Sequence, residues 1–217
     1  MKTDQQTKLI AIVGGSGSGK SWLASELKHR LEPQAAVLSM DDFYYDLAKL
    51  TPEAREAVNY DHPQTIDWPL FESVLDDCLM GRMTGVPQYD FKTHTRLPMI
   101  NIFQPAPVVL VEGLWVLHTA KLRSWFSLKI FLDCPESLRM KRRLVRDVTG
   151  RGRTPDSVRD QFNSMVNPMH ERYVAPQAAY ADITLKGEPG DFELRELREI
   201  LQYVALETHE PRIAANF

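Results

Sequence analysis

The stretch "IAIVGGSGSGKSWLASEL", residues 10–27, decides the fold. Its apolar opening, Ile10 to Val13, predicts a short buried strand, and the pattern after Lys20 predicts a helix. Between them, residues 14–21 satisfy G-x-x-x-x-G-K-[ST]. Glycines let backbone N–H groups converge on phosphate oxygens, and the helix that follows adds its positive end. Lys20 is predicted to reach the outer phosphates of a nucleotide and Ser21 to hold Mg²⁺. The predicted cradle comprises Gly14, Gly15, Ser16, Gly17, Ser18, Gly19, Lys20 and Ser21, with Trp22 beside it.

Outward from this loop, apolar runs at 36–38, 108–111, 129–132 and 182–185 join 9–13 as five predicted strands. Several are continuous rather than alternating, as in a parallel sheet covered on both faces. Asp67 before Trp68-Pro69 predicts a helix start, with Gly81 closing that helix. Thr51-Pro52-Glu53 starts a short helix, Pro135 opens a third, and Phe192 to Leu206 has a helical period. Strands alternating with helices predict a doubly wound α/β fold of the P-loop NTPase type, with ligands at the carboxyl ends of strands. Residues 82–107 break the alternation and predict an antiparallel hairpin flap with Arg, His and aromatic residues on a substrate-facing wall.

The chain has 217 residues, 43% of them hydrophobic, and reads as one domain over 1–217. Such a length buries roughly 70% of the unfolded surface. A net charge of −3 gives no global reason to expect nucleic acid or a membrane surface as a partner. The opening "MKTDQQTK" is polar, and the apolar run after it is too brief for a signal segment or a membrane span. Cys78 and Cys134 have no metal or redox spacing and read as thiols of a cytoplasmic protein.

Two further strand ends carry carboxylates. "VVLVEG" places Glu112 at a strand tip, where it can orient Mg²⁺; a motor strand more usually ends in Asp, which points to a small-molecule kinase. "LSMDDFYYDL" places Asp41 and Asp42 after the second strand, and phosphoryl transfer to an alcohol needs such a base. Alternation is expected to point the two to opposite sides, so that one faces the acceptor. "RMKRRLVRDVTGRGR", residues 139–153, holds seven Lys/Arg without aromatics. Leu138, Val145 and Val148 give a stripe that predicts a core-facing helix with a charged outer face. Gly150 to Arg153 reads as a mobile lid, about 146–156, with Arg146 and Arg151 as candidates for phosphate contact.

These pieces, with "NYDHPQTID" (59–67), "PQYDFKTHTR" (87–96) and "YADI" (180–183), cover nearly the whole chain. Together they resemble the phosphoribulokinase/uridine kinase family, in its uridine–cytidine kinase branch. The resemblance implies ATP- (or GTP-) and Mg²⁺-dependent phosphorylation of the 5′-hydroxyl of uridine and cytidine in pyrimidine salvage. It implies Asp41 as base and Asp61 as holder of the ribose hydroxyls, with Tyr44 lining the cleft. Tyr89, Phe91 and His94 become the pyrimidine pocket, the two rings being expected to point to opposite faces so that one stacks while the other packs. Arg143 and Gln161 help hold the nucleoside, Arg153 lies over the pocket, and a homotetramer is implied. A kinase for ribulose 5-phosphate, pantothenate or nicotinamide riboside, or a non-catalytic nucleotide-binding regulator, are the alternatives; "YDFKTHTR" and the retained Lys20, Ser21, Asp41 and Glu112 argue against them. Asp42, Trp22 and Trp115 depart from the family pattern. Asp42 is expected to raise the pKa of Asp41 or bind metal, and the tryptophans to alter donor preference.

Overall fold

The computed structural model describes residues 7–206; the polar opening residues 1–6 lie outside them. In chain order the elements are β1 (Lys8–Gly14), α1 (Lys20–Leu31), β2 (Ala35–Ser39), α2 (Pro52–Glu56), α3 (Trp68–Leu79), β3 (Thr84–Asp90), β4 (Thr95–Phe103) and β5 (Val108–Gly113). They continue as α4 (Ala120–Trp125), β6 (Phe126–Asp133), α5 (Glu136–Arg151), α6 (Pro155–Gln161), α7 (Asn167–Met169), β7 (Ile183–Lys186) and α8 (Asp191–Leu206).

Every residue of β1 is buried, because the strand is covered on both sides. Leu9, Ala11 and Val13 meet Phe43, Phe71 and Trp115 on one face. Ile10 and Ile12 meet Leu23 and Leu27 of α1 and Leu194, Leu197 and Leu201 of α8 on the other. Full burial of each such isoleucine contributes about 1.5–3 kcal/mol. The continuous apolar runs are thus two core faces interleaved on one strand, and all five expected strands join one sheet in the order β2-β5-β1-β6-β7. Its neighbours pair in parallel. Register brings the strand ends together: Ser39 pairs with Glu112, and Val13 with Gly113. The turn after β1, the turn after β2 and the carboxylate of β5 therefore share one edge.

The expected helix starts are present. Asp67 accepts from Leu70 N at 3.3 Å and Thr51 from Ala54 N at 3.3 Å. β3 and β4 form the expected antiparallel hairpin. Arg96 bolts it to the body, donating through Nε to the Tyr44 carbonyl at 2.9 Å and pairing with Asp67 at 3.1 Å.

Helix α5 corrects one expectation. Val145, assigned to a core-facing stripe, is 60% exposed, and the buried residues are Arg139, Arg143 and Asp147. The helix packs on the phosphate loop rather than on apolar core: Arg143 donates to Ser16 Oγ and pairs with Asp147, and Arg139 donates to the Cys134 carbonyl and to Asn167 Oδ1. Nor does the helix end at Gly150: it runs to Arg151, and Gly152, at φ 70°, terminates it. The next helical stretch passes through two π-helical turns, Phe162–Val166 and His170–Val174, before β7.

Candidate active site

A cavity of about 310 Å³ opens at the shared edge of β1, β2 and β5 and is roofed by α5 and the hairpin. Six cationic side chains (Lys20, Arg142, Arg143, Arg146, Arg151 and Arg153) line it against two carboxylates, Asp41 and Asp61. Such an excess favours a polyanion.

At the loop end, Ser16, Gly17, Gly19, Lys20, Ser21 and Trp22 face the cavity. Gly14, Gly15 and Ser18 shape the loop from behind, the Ser18 N–H donating to the Gly15 carbonyl at 3.0 Å. Lys20 Nζ donates to the same carbonyl at 3.1 Å, and burial lowers its pKa against the opposing pull of Glu112 and Asp41. Glu112 accepts from Ser21 Oγ at 3.1 Å and Ser39 Oγ at 2.8 Å. Burial raises its carboxyl, the charge of Asp41 adds to this, and Lys20 and the two hydroxyls oppose it. These donors are all oxygen, as Mg²⁺ requires. Among the described residues no cluster of three or more His, Cys, Asp or Glu forms a cage of its own. That fits a cation held by one or two side chains together with substrate phosphates.

Asp41 lies not on a strand but in a 3₁₀ turn, Met40–Phe43, capped by Ser39 Oγ, which accepts from Asp41 N at 3.3 Å. As expected, one of the two aspartates faces the cavity: Asp41 lines it, and Asp42 takes a hydrogen bond from the main chain of Tyr89. The turn, rather than strand alternation, separates them. Burial pushes the Asp42 carboxyl up to about 6, with Asp41 adding to the rise. The folded chain therefore keeps a proton that the unfolded chain loses near pH 4. Stability from this group is complete below that pH and is lost as pH rises through 6. Asp42→Asn is expected to raise the melting temperature at pH 7.5 by about 2–4 °C, about 1 kcal/mol once partial exposure is allowed for. At pH 4 it is expected to leave it unchanged; melts across this range measure both.

At the other end stand Tyr44, Tyr60, Asp61, Tyr89, Phe91 and His94. Asp61 is buried and its pKa raised by that burial, with Arg143 opposing. Tyr44 Oη donates to the Tyr60 carbonyl at 3.0 Å. Tyr89 and Phe91 do not point to opposite faces: both line the cavity, with ring centroids 5.2 Å apart. Positions i and i+2 of an extended chain share a side. His94 holds φ 54° in the hairpin turn and stacks on Tyr60 at 4.0 Å. Burial and then Arg151 and Arg153 lower its pKa, so the ring is neutral, and its Nδ1 is shielded without a hydrogen-bond partner.

Arg143 donates to Ser16 Oγ at 2.8 Å and Gln161 Oε1 at 2.9 Å, and Arg153 donates to the same Gln161 oxygen. Arg146 and Arg151 both reach Asp147, at 2.8 and 3.3 Å. Trp115 is not at the nucleotide side: it is 1% exposed in the core. Sequence reasoning missed Ser39, Tyr60 and Arg142. Arg142 donates to the carbonyls of Gly17 at 3.3 Å and Ser18 at 3.0 Å and pairs with Glu188. It sat unnoticed inside the arginine run; Ser39 was findable only from the β2–β5 register.

Sheet order, loop and cavity define an α/β P-loop protein of the kinase type. A model of the Phosphoribulokinase / Uridine kinase family matches residues 9–190, and the chain belongs to that family. A uridine kinase of Macrococcus caseolyticus is 41% identical over 181 residues, 83% of this chain and 88% of that protein. One of Staphylococcus aureus (strain Newman) is 41% identical over 180 residues, 82% of this chain and 87% of that protein. The phosphoribulokinase structure from Rhodobacter spheroides superposes with TM-score 0.64 at 18% identity, covering 84% of this chain and 70% of that chain.

Proposed function

We propose that the protein transfers a phosphoryl group from ATP to the 5′-hydroxyl of uridine, and of cytidine, in pyrimidine salvage. The carrying observation is one cavity with Lys20 and Ser21 at one end, the aromatic and His94 wall at the other, and Asp41 between. In this reading Asp41 takes the hydroxyl proton, and Lys20 and the loop N–H groups hold the donor phosphates. Arg146 and Arg151 neutralise charge on the transferred group. Ser21 and Glu112 hold Mg²⁺, which supplies charge neutralisation at the phosphates when bound. Asp61 accepts from the ribose hydroxyls, as a buried carboxylate with free lone pairs does. Tyr44, Tyr89 and Phe91 wall the base, and the His94 ring, which lines the same cavity, meets its edge. Arg143, Gln161 and Arg153 close the roof, with the hairpin as flap and 146–156 as lid of a single kinase domain.

A smaller cavity of about 150 Å³ adjoins the loop between Trp22, Arg142, Glu188 and Pro189. It suits the donor base, with the half-exposed Trp22 ring as a stacking face. Two free cysteines accord with a cytoplasmic setting, and no helix among the described residues is long and apolar enough to cross a membrane.

The experiment is a nucleoside panel with ATP and with GTP, read as ADP or GDP release. Uridine-dependent turnover is expected with ATP. Turnover on another alcohol but not on uridine overturns the acceptor, and no turnover on any acceptor overturns the kinase. His94→Ala is expected to raise the uridine KM about 10-fold or more, as loss of one hydrogen bond to a buried partner does, with the ATP KM within threefold.

The homotetramer is part of this reading. Met99, Ile100 and Ile102 of β4 are 62%, 67% and 72% exposed, and the hairpin is a separate two-stranded sheet among the described residues. Sedimentation is expected to give a tetramer that Ile100→Lys with Ile102→Lys dissociates. A monomeric unaltered protein removes this part.

A further inference from the structure

Asp147 is 0% exposed, an uncommon position for a carboxylate in a helix that carries five other charged residues within two turns of it. Three guanidinium groups converge on it from its own helix. Arg146 Nε lies 2.8 Å and Arg151 Nη1 3.3 Å from Oδ1, and Arg143 Nε lies 3.3 Å from Oδ2. Arg143 and Arg151 stand four residues to either side of Asp147, where helical geometry stacks side chains on one face, whereas Arg146, its chain neighbour, bends back to reach it. Burial alone would raise the carboxyl, yet the Arg146 hydrogen bond and the three positive charges outweigh it and hold the pKa below the ordinary value. The group is an anion in the folded protein.

All three arginines also line the cavity. Arg143 is fixed independently by Ser16 and Gln161. Arg146 and Arg151 are not. For Arg146, Asp147 is the one hydrogen-bond partner among the described residues. Arg151 has Asp147 and the face of Phe91, whose centroid is 4.5 Å from its guanidinium carbon. Without the anion these two long side chains would repel each other and Arg143 and sample many rotamers. With it, they are ordered before substrate arrives, and a preorganised cation acts on the transition state without reorganising.

We propose that Asp147 is a positioning residue for phosphoryl transfer, holding Arg146 and Arg151 at the reach the transferred group requires. The inference rests on the arginine roles proposed above. The contact of Arg151 with Phe91 places the far end of this assembly against the acceptor wall, and Arg143 ties its near end to the phosphate loop.

The test combines kcat on uridine and ATP, affinity for a non-hydrolysable ATP analogue, and melting temperature. Asp147→Asn is expected to lower kcat about 100-fold, the cost of misplacing such donors, with analogue affinity within threefold. Asp147→Glu, which restores the charge, is expected to recover about 10-fold of that loss. In an Arg146→Ala/Arg151→Ala background, Asp147→Asn is expected to change kcat less than threefold, because nothing remains to be positioned. A purely structural Asp147 would show the same loss with or without the arginines, and that result overturns the proposal. So does Asp147→Asn turnover within threefold of the unaltered enzyme. Should Asp147→Asn fail to fold, Asp147→Glu decides: kcat lowered about 10-fold with analogue affinity kept supports the proposal, and unchanged kcat overturns it. Arg146→Ala and Arg151→Ala variants with unchanged kcat overturn the arginine roles themselves, and this inference with them.

Discussion

Asp41→Asn is expected to lower kcat by about 10³-fold while leaving ATP-analogue affinity within about threefold. The substitution is isosteric, and the contact that fixes the turn runs from the main-chain N–H of residue 41 to Ser39 Oγ, so the local structure has no reason to change. What is lost is the acceptor for the hydroxyl proton, a contribution of about 10²–10⁴ in rate. Asp61, the other carboxylate lining the cavity, has its pKa raised by burial and lies on the acceptor side, where it serves the sugar rather than the reacting oxygen. Single-turnover measurement with saturating uridine separates this from a binding defect. Turnover within tenfold of the unaltered enzyme rules out residue 41 as the base.

Gly17→Ala should abolish nucleotide binding, with ATP-analogue affinity falling more than about 100-fold. It should also reduce stability by about 2–3 kcal/mol, the usual size of combined backbone strain and steric overlap. Two causes coincide at this position. Its φ of +79° is one that L side chains rarely adopt, and an added Cβ would lie 2.5 Å from the main-chain carbonyl oxygen of Arg139. That atom belongs to α5 and cannot swing aside as a side chain does. Gly81 provides the control: φ is +65°, but nothing lies within 4 Å of the added carbon. Gly81→Ala is therefore expected to cost only the strain, about 1 kcal/mol, and to bind nucleotide normally. Titration calorimetry and urea unfolding of both variants measure the difference. Normal analogue binding by Gly17→Ala would mean that the loop does not hold phosphate in this conformation.

Residues near one another in the chain were the readable ones. The loop at 14–21 was legible because its function lies in consecutive backbone N–H groups, and the strand before and helix after it are local patterns. The central strands β1 and β5 were legible because burial on both faces leaves continuous apolar runs, seen in Leu9 and Ile10 pointing into different core clusters. The hairpin was legible from its prolines and aromatics.

Helix α5 was not readable in this way. Periodicity assigns the inward face to Val145 and Val148, since apolar side chains ordinarily take the buried side. The face that is buried carries Arg139, Arg143 and Asp147, because this helix packs on the polar phosphate loop: Arg143 meets Ser16 and Asp147, and Arg139 donates to the Cys134 carbonyl and Asn167. Likewise, the pairing of Ser39 with Glu112 exists only once β2 lies beside β5, 73 positions along the chain.

By itself, then, the amino-acid order determined the layered architecture, the phosphate loop and the list of polar groups available to a site. Only the tertiary structure decided which of those groups meet: Asp41 rather than Asp42 in the cavity, both Tyr89 and Phe91 on its wall, and Asp147 beneath two arginines. Backbone propensity and apolar patterning act over a few residues, whereas the pairing of charges depends on which segments the packed sheet brings within hydrogen-bond reach.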